Sequence, residues 1–489
     1  MTESTQAKSS HPVSPADITV VGAGLVGSLL ALLLARRGFN VEVFERRPDM
    51  RREKVEAGRS INLAISTRGI TALERAGLGA DILAQAIPMY GRMMHSKAGE
   101  LTFQPYGKDR SEYINSISRA EFNKVLIERA EATGKVKFHF ERKALGMDFE
   151  HSLLKLSGPD DALLELATNL VIGTDGSASK IRDDMSALKG HEAASSRLDY
   201  GYKELYIPPI AAAAAGSDAS FSLEKNALHI WPRGSYLMIA LPNLDGSFTG
   251  TVFLPYKGPV SFEKLVTVEQ VQAFFEADFA DAVPLIPNLA ENFVKSPLGH
   301  LDTVKAQPWN VGGKALLLGD AAHAIIPFYG QGANCGLEDL TIFEQCVEDH
   351  LKRGGSLHGG ENGAGDGWRV IFDKLTALRK VNCDAISDMA VENFVEMRDR
   401  VADPHFLLMK AVEKILEKKF PGRYRSRYSL VTFSNAPYKL ALDVGVICEE
   451  ILNELCKGLT DPEKVDLVRA EALINEKLAP ILAGSLATL

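Results

Sequence analysis

The sequence predicts an α/β protein in which a dinucleotide-binding domain is interleaved with a β-sheet domain and followed by a C-terminal helical region. Short apolar runs that end in a carboxylate occur at 41–45, 170–175 and 315–320, as in parallel strands whose carboxyl ends face a ligand. Alternating side chains with several aromatic residues over 228–254 predict further strands. From Trp368 onward, apolar residues recur at helical spacing with few interruptions.

The N-terminal element is a strand, a glycine loop and a helix. Ile18–Val21 predicts a strand, and it is followed at once by GAGLVG at 22–27. Helix-forming residues then continue to Gly38, and the next predicted strand ends on Glu45. A G-x-G-x-x-G pattern between a strand and a helix, with an acid about 20 residues further on, is the fingerprint of a Rossmann-like dinucleotide site.

The residues of this fingerprint have separate physical tasks. Gly22 allows the tight turn, Gly24 lets the backbone approach a pyrophosphate, and Gly27 lets the helix pack closely on the strand. Glu45 would accept hydrogen bonds from ribose hydroxyls. The motif therefore predicts a ligand with an ADP moiety, and it leaves FAD and NAD both open.

A second ligand-binding stretch is predicted at 314–340. The apolar run Ala315–Leu318 predicts a buried strand, Asp320 follows it, and a helix is expected from Ala333 onward. Backbone amides at the start of that helix would favour an anion. Asp175 ends a similar strand, so three strand ends carry groups that can bind a ligand, whereas a nicotinamide-binding domain needs only one fingerprint.

These three segments, in this order, resemble the single-component FAD-dependent aromatic hydroxylases over residues 17 to about 435. Several shorter stretches carry a closer match. They resemble the kynurenine 3-monooxygenase family and are GRSINLA at 58–64, SISR at 116–119, LHIWPRG at 228–234, ALPN at 240–243 and PFYGQGANCGLED at 327–339.

The resemblance implies a bound FAD, NADPH as a transient cosubstrate, and hydroxylation of L-kynurenine to 3-hydroxy-L-kynurenine by O2 through a flavin hydroperoxide. In that family the reaction belongs to tryptophan degradation by the kynurenine pathway and to NAD biosynthesis. The substrate ring is activated by its own amino group, so no essential acid or base is expected among the side chains. The sequence contains no second G-x-G-x-x-G after a strand, which agrees with transient docking of NADPH.

The resemblance also assigns residues to the site. Those expected to hold FAD are Gly22, Gly24, Gly27, Glu45, Arg46, Arg119, Asp175, Asp320, Pro327, Gln331, Gly332, Ala333 and Asn334. Those expected to hold the substrate are Arg92, Tyr106, Phe328, Tyr329, Asn393, Met397 and Tyr428. Arg92 matches the family's carboxylate-binding arginine, and Tyr106 and Tyr428 match its tyrosine partners. Ala333 departs from the methionine that the family often has in this loop.

The predicted domain limits follow from these segments. The FAD-binding domain is expected at 16–85, 112–190 and 296–350, and the substrate-binding sheet domain at 86–111 and 191–295. A flexible tail is expected at 1–15, a Gly-rich linker at 351–367 and the C-terminal helical region at 368–489.

Composition argues against several other classes of protein. The 489 residues carry a net charge of -8, which does not favour a nucleic-acid surface. Five cysteines without a C-x-x-C pair, and eleven histidines without an H-E-x-x-H pattern, predict neither disulfides nor a metal site. We found no signal peptide and no transmembrane segment, so a soluble cytoplasmic protein is expected. The sequence leaves open whether the chain is a monomer or a homodimer.

Two alternative functions remain open at this point. A related flavin hydroxylase could act on another aromatic acid, and the same fold also serves in non-catalytic FAD-binding proteins. Arg92 and Tyr428 together argue against the second alternative.

Overall fold

The computed structural model of the chain describes residues 16–52, 62–158, 162–210, 217–357, 366–399 and 403–486. The predicted tail at 1–15, and residues 358–365 of the predicted linker, lie outside the described residues.

The described residues form four sheets and a set of helices. The strands are, in chain order, β1 Ile18–Val21, β2 Val41–Phe44, β3 Asn62–Ile65, β4 Ile87–Met89, β5 Gly91–His95, β6 Leu101–Pro105, β7 Ile114–Ser118, β8 Val136–His139, β9 Lys143–Asp148, β10 Leu153–Ser157, β11 Leu163–Ala167, β12 Val171–Gly173, β13 Glu192–Ile207, β14 Ala227–Pro232, β15 Leu237–Pro242, β16 Phe248–Pro255, β17 Gly299–Gln307, β18 Asn310–Val311 and β19 Ala315–Leu317.

The helices are, in chain order, α1 Leu25–Arg36, α2 Thr67–Arg75, α3 Gly79–Leu83, α4 Arg119–Glu131, α5 Lys180–Ser186, α6 Val268–Asp278, α7 Leu289–Lys295, α8 Asp320–His323, α9 Gly332–Lys352, α10 Asp366–Asp399, α11 Pro404–Lys419, α12 Arg427–Thr432, α13 Tyr438–Leu455, α14 Leu467–Leu473 and α15 Ala479–Leu486. A 3-10 turn at Pro327–Tyr329 precedes α9, and a π-helical turn at Ile474–Leu478 joins α14 to α15. No helix of the described residues has an apolar stretch long enough to cross a membrane.

The first large sheet has six strands in the order β18-β19-β12-β1-β2-β8. β1 pairs in parallel with both β12 and β2, and β12 pairs in parallel with β19. The three predicted strand ends therefore meet at one edge of this sheet, because parallel strands present their carboxyl ends on the same side. The near-continuous apolar sequences of β1, β12 and β19 fit strands that are buried on both faces.

The second large sheet has seven strands in the order β17-β13-β16-β15-β14-β5-β6. The strands predicted over 228–254 are confirmed as β14, β15 and most of β16. Two pairings differ from the predicted domain limits. β17 belongs to this sheet although 296–350 was expected in the FAD-binding domain, and β4 pairs with β7 rather than with β5.

The core shows how the helical region is attached. Leu30 of α1, Leu337 of α9, Ile386 of α10 and Val444 of α13 belong to one contiguous cluster of buried side chains. A separate cluster packs the seven-stranded sheet against α6 and α7. The predicted fold class is confirmed, and the C-terminal helices share the core of the dinucleotide-binding sheet.

Candidate active site

A cavity of about 490 Å³ is lined by residues of both large sheets and of the C-terminal helices. Of the residues assigned from the sequence, it is lined by Gly24, Arg92, Tyr106, Arg119, Asp320, Pro327, Phe328, Tyr329, Gln331, Gly332, Ala333 and Tyr428. The assigned residues that do not line it are Gly22, Gly27, Glu45, Arg46, Asp175, Asn334 and Asn393. Met397 lies in α10, but its side chain is outside the described residues. One cavity thus joins members of both predicted groups.

The glycine loop leaves room at one position only among its three glycines. A Cβ on Gly22, whose φ is +101°, would lie 2.5 Å from the Thr174 carbonyl oxygen, and a Cβ on Gly27 would lie 2.0 Å from the Gly22 carbonyl oxygen. A Cβ on Gly24 would meet no protein atom within 4 Å. Gly24 also begins α1 without a side-chain cap, so backbone amides face this open space.

Glu45 is buried beside the loop and is held by the protein itself. Its carboxylate accepts hydrogen bonds from the Ala23 backbone N–H at 2.9 Å and from the backbone and side chain of Arg47. Burial would raise the pKa of Glu45, but the bonds to Arg47 outweigh burial and lower it. Arg46, which the sequence assigned to the cofactor, is exposed, and the partner of Glu45 is its neighbour Arg47.

The other two strand ends differ in their surroundings. The Asp175 Oδ1 atom is buried and has no hydrogen-bond partner among the described residues, and burial raises the pKa of this carboxyl. Asp320 is exposed, opens α8 and lines the cavity. Arg119, at the start of α4, is likewise exposed on the cavity lining.

The start of α9 is fixed by side-chain hydrogen bonds. Asn334 accepts a bond from the Ser66 backbone N–H at 2.9 Å and donates to the Ala64 carbonyl at 2.8 Å. Gln331 accepts a bond from the Tyr438 hydroxyl at 2.9 Å. Gln331 caps the helix with no side-chain bond to its first amides, so the positive end of a 21-residue helix faces the cavity.

The far end of the cavity carries an arginine beside two stacked aromatic rings. The Arg92 guanidinium lies 5.3 Å from the ring centre of Tyr106 and 5.1 Å from that of Tyr428. No carboxylate of the described residues lies within ion-pair distance of Arg92. The Tyr106 hydroxyl is buried and has no hydrogen-bond partner among the described residues. Burial raises the pKa of both tyrosines, so both hydroxyls remain protonated and able to donate.

These residues reach the site from separate parts of the chain. Arg92 lies on β5, Tyr106 follows its antiparallel neighbour β6, and Tyr428 lies on α12. The Tyr106 and Tyr428 rings stack with centres 5.8 Å apart. An anion between the guanidinium and the hydroxyls would gain charge-assisted hydrogen bonds in a largely desolvated place.

An aromatic wall follows along the 3-10 turn before α9. The Phe328 ring lies 5.1 Å from Phe253 and 4.5 Å from Phe394, and Tyr329 stacks on Tyr428 at 6.0 Å. Asn393 donates to the Phe328 carbonyl at 2.9 Å, so it contacts the back of this wall rather than the cavity.

The floor of the cavity is one face of the seven-stranded sheet, and the sequence did not assign its residues. The lining residues on this face are Leu228, Ile230, Leu237, Ile239, Leu241, Thr249, Thr251 and Phe253. They alternate along β14, β15 and β16, so the period of two that predicted the strands also selects this face. Knowing which face borders the cavity requires the sheet pairing, which the pattern alone does not give.

The donor set fits FAD. The open space above Gly24, two helix starts without side-chain caps, and the unpartnered Asp175 carboxylate oxygen all border or approach one cavity. A pyrophosphate would meet the start of α1, and an anionic ring edge would meet the start of α9.

Comparison with known proteins gives a consistent family. A family model described as an FAD binding domain matches residues 15–235 and 285–351. A kynurenine 3-monooxygenase of Myxococcus xanthus is 52% identical over 95% of this chain and 96% of its own length. The enzyme of the same name from Dictyostelium discoideum is 45% identical over 94% and 98%.

Solved structures support the fold. A 2-methyl-3-hydroxypyridine-5-carboxylic acid oxygenase matches 79% of this chain and 94% of its own, with a TM-score of 0.59 and 19% identity. The p-nitrophenol 4-monooxygenase of Pseudomonas putida matches 91% and 98%, also with a TM-score of 0.59 and 19% identity. At this identity the likeness concerns the fold alone.

Proposed function

The chain belongs to the kynurenine 3-monooxygenase family, and on this premise we propose that it hydroxylates L-kynurenine to 3-hydroxy-L-kynurenine with FAD, NADPH and O2. The observation that carries the proposal is the Arg92 guanidinium beside the stacked rings of Tyr106 and Tyr428, at the end of an apolar cavity that continues to the glycine loop. The bound FAD would supply the redox chemistry, which is its reduction by NADPH and the activation of O2.

Arg92, Tyr106 and Tyr428 bind the carboxylate of the substrate. A planar guanidinium suits a carboxylate, and the Tyr106 hydroxyl has no competing partner among the described residues. Because no described carboxylate already neutralises Arg92, the substrate supplies the missing negative charge. This contact sets the depth to which the amino-acid end enters the cavity.

The sheet face and the aromatic wall position the ring of the substrate. Ile230, Ile239 and Phe253 form an apolar floor, and Phe328 closes the side toward α9. Contacts of this kind exclude water and hold a flat aromatic ring between two surfaces. Orientation is the main contribution that the side chains make to the reaction.

The chain holds the cofactor by its backbone more than by its side chains. Gly24 and the first turn of α1 would receive the pyrophosphate, and Asp320 and Arg119 border the region between the loop and the substrate pocket. The amides at Gly332 and Ala333 would stabilise negative charge on the pyrimidine edge of the reduced ring by about 0.3 to 1 kcal/mol.

No side chain is assigned as an essential acid or base. Besides Asp320, the acid and the imidazole on the described cavity lining are Asp302, which pairs with Arg197, and His300, which bonds to the Tyr256 hydroxyl at 2.7 Å. Asp302 and His300 are therefore each held by another side chain of the protein. The amino group of the substrate activates its own ring carbon, so this absence is compatible with hydroxylation.

The experiment that tests this function is mass analysis of L-kynurenine after incubation with the FAD-loaded protein, NADPH and isotopically labelled O2. We expect a product that gains one oxygen atom carrying the label, formed only when NADPH is present. If NADPH oxidation is stimulated by another aromatic acid and not by L-kynurenine, the substrate assignment is wrong. If no aromatic compound yields a labelled product, the protein is not a monooxygenase.

A further inference from the structure

A cluster of buried titratable groups lies behind the start of α9, outside the cavity. The Cys335 sulfur on α9 lies 3.4 Å from the Cys383 sulfur on α10, and both residues are fully buried. Arg379 donates to the Cys335 sulfur at 3.2 Å and to Asp339 at 2.8 Å. His323 lies between these groups, with Nε2 at 2.7 Å from Asp339 and Nδ1 at 3.9 Å from the Cys335 sulfur.

The charges of this cluster favour a thiolate at one cysteine. Burial alone would raise the pKa of Cys335, but the hydrogen bond from Cys383 and the charges of His323 and Arg379 lower it below the ordinary thiol value. Burial raises the pKa of Cys383, which stays a thiol and donates to its neighbour. The charges of Asp339 and Cys335 raise the pKa of His323. The surroundings therefore favour the thiolate form at Cys335 and the charged form at His323, with the Cys383 thiol in contact.

Two further charged groups complete the surroundings. Glu338 on α9 pairs with Arg379 at 2.6 Å, and Arg68 on α2 pairs with the same Glu338. Since Asp339 also pairs with Arg379, these groups balance one another. His323 shares Asp339 with Arg379, and both cations lie beside the Cys335 sulfur.

The other three cysteines provide an internal contrast. Cys346, on the same helix α9, is buried, and burial raises its pKa to about 11. Burial also raises the pKa of Cys448 to about 12 and that of Cys456. Burial in apolar surroundings keeps a thiol protonated and inert, whereas neighbouring cations and a hydrogen-bond donor favour the nucleophilic thiolate form. The Cys335–Cys383 pair is thus chemically distinct from the rest of the described cysteines.

A metal site is the competing explanation, because His323, Cys335, Asp339 and Cys383 have ligand atoms within 4.8 Å of one another. The geometry disfavours it. A tetrahedral zinc with Zn–S bonds of about 2.3 Å holds its sulfurs about 3.8 Å apart, which is wider than the distance observed here. The Arg379 guanidinium also contacts both Cys335 and Asp339, and it would repel a dication bound to them.

We propose that Cys335 and Cys383 form a reactive thiol pair that hydrogen peroxide converts reversibly to a disulfide between α9 and α10. The two sulfurs are already in contact, so only a small movement separates the pair from a bond. Cys335 follows Asn334 in the first turn of α9, directly behind the segment proposed to hold the flavin ring. Oxidation would therefore change the start of α9, where the flavin ring is proposed to bind.

Formation of the disulfide consumes hydrogen peroxide and no other added reagent. The Cys335 thiolate attacks one peroxide oxygen, the O–O bond breaks, and the leaving oxygen takes a proton from His323 and departs as water. The Cys383 sulfur then attacks the sulfur of the Cys335 sulfenic acid. The S–O bond breaks, and that oxygen leaves as a second water with the Cys383 proton. Two thiols lose two electrons, and one peroxide gains them.

The source of peroxide rests on the proposed function, whereas the reactivity of the thiols does not. A flavin that reacts with O2 without hydroxylating a substrate releases hydrogen peroxide, and here it would do so beside α9. Added peroxide tests the thiol pair alone. Peroxide made during NADPH oxidation, with and without catalase, tests the source.

The experiment treats the FAD-loaded protein with added hydrogen peroxide, quenches with an alkylating reagent and maps the cysteine peptides by mass spectrometry. We expect a Cys335–Cys383 cross-linked peptide that dithiothreitol removes. Cys335 should lose its free thiol at least about tenfold faster than Cys346, as expected for a thiolate compared with a buried thiol. The Cys383→Ala variant should give oxygen-containing adducts on Cys335 instead of the cross-link, and Cys346→Ala should leave the cross-link unchanged.

Several results would overturn the proposal. Loss of Cys335 and Cys346 thiols at equal rates would show that the cluster confers no special reactivity. A stoichiometric metal that is lost in Cys335→Ala would assign the cluster to metal binding. The cross-linked peptide and the relative rates of Cys335 and Cys346 are read from the parent protein, so failure of a variant to fold would leave these two results able to overturn the proposal.

Discussion

Among single residues, Arg92 carries the most specific expectation, because it is the cation that meets the substrate carboxylate in the proposed site. The Arg92→Lys change keeps the charge and removes the planar fork. Hydrogen bonds to a charged group are worth about 1.5 to 3 kcal/mol, so the KM for L-kynurenine should rise at least about tenfold with a smaller change in kcat. Steady-state kinetics check this. Arg110→Lys, an exposed arginine that stacks on Tyr90, is the matched control and should leave KM unchanged.

Tyr106 offers a test that separates binding from folding. Its buried hydroxyl has no hydrogen-bond partner of normal geometry among the described residues and only faces the Arg92 guanidinium, so Tyr106→Phe removes at most a weak internal contact. We expect an unchanged or slightly higher melting temperature together with a KM raised about fivefold, which corresponds to about 1 kcal/mol. A lower melting temperature would mean that the hydroxyl has a structural partner, and an unchanged KM would remove Tyr106 from the carboxylate site.

At the scale of elements, substitutions at two glycines of the glycine loop should have opposite effects on stability and on FAD binding. A Cβ at Gly27 meets the Gly22 carbonyl oxygen at 2.0 Å, whereas a Cβ at Gly24 meets no protein atom within 4 Å. Gly27→Ala should therefore lower the melting temperature of the protein without cofactor. Gly24→Ala should leave that temperature unchanged and weaken FAD binding at least about tenfold, because the methyl group occupies the space left for the pyrophosphate. Calorimetry and flavin fluorescence titration measure the two effects, and equal stability losses would contradict the assignment.

The buried His229 on β14, which contacts His95 on the paired strand β5, should make the stability of the protein depend on pH. His229 donates from Nε2 to the Glu224 carbonyl, and its Nδ1 lies 2.9 Å from His95 Nε2, while His95 Nδ1 lies 2.7 Å from Asp281. Burial lowers the pKa of His229 to about 4. Between about pH 6.5, the unfolded value, and pH 4 the unfolded chain binds a proton that the folded chain does not. The free energy of unfolding should therefore fall as pH falls through this window, by up to about 3 kcal/mol, and not change from this source above it.

The measurement compares melting temperatures of the protein and of His229→Gln across this pH range. The glutamine amide can keep a donor and an acceptor but does not titrate, so the variant should lose part of the slope. Parallel curves for the two proteins would show that His229 does not contribute.

Sequence patterns predicted the elements better than their assembly. The strands at 18–21 and 228–254 follow from local periodicity and were found where expected. Periodicity does not say which strands pair, so β17 was expected outside the sheet to which it belongs. Asp339 contacts both His323 and Arg379 and so joins α8, α9 and α10, but the three residues have no regular spacing, and only the packing of α9 on α10 brings them together.

The candidate site shows the same division. The resemblance indicated Arg92 and Tyr428, which lie 336 positions apart in the numbering and meet in the structure. Their roles remain predictions, as does that of Asn393, which contacts the carbonyl of Phe328. Arg46 was assigned to the cofactor and Glu45 to the ribose, and no protein partner of Glu45 was predicted; the structure pairs Glu45 with Arg47.

At the scale of the whole molecule, the helical region completes the site and is attached through the core. Tyr428 comes from this region, and most buried residues of α10 and those of α13 belong to the same cluster as β1 and α1. A substrate pocket built from distant segments depends on contacts that keep those segments together. The buried Arg68 on α2 is such a contact, because it reaches across to the segment that follows Tyr428.

Arg68 joins α2 to the C-terminal helical region through hydrogen bonds of its guanidinium and through its contact with an aromatic ring. It is 1% exposed, pairs with Glu338, donates to the Val431 carbonyl at 3.1 Å and to the Ala436 carbonyl, and lies 3.8 Å from the ring centre of Tyr438. Arg68→Lys keeps the charge beside Glu338 but leaves buried carbonyls without donors, at a cost of about 1 to 3 kcal/mol each. The melting temperature should fall, and the KM for L-kynurenine should rise more than the Kd for FAD, because Tyr428 shifts with its helix. Arg75→Lys on the same helix, where the arginine is half-exposed and pairs with Glu348, should change neither quantity. Loss of FAD affinity with an unchanged KM would show instead that Arg68 supports only the flavin-binding part.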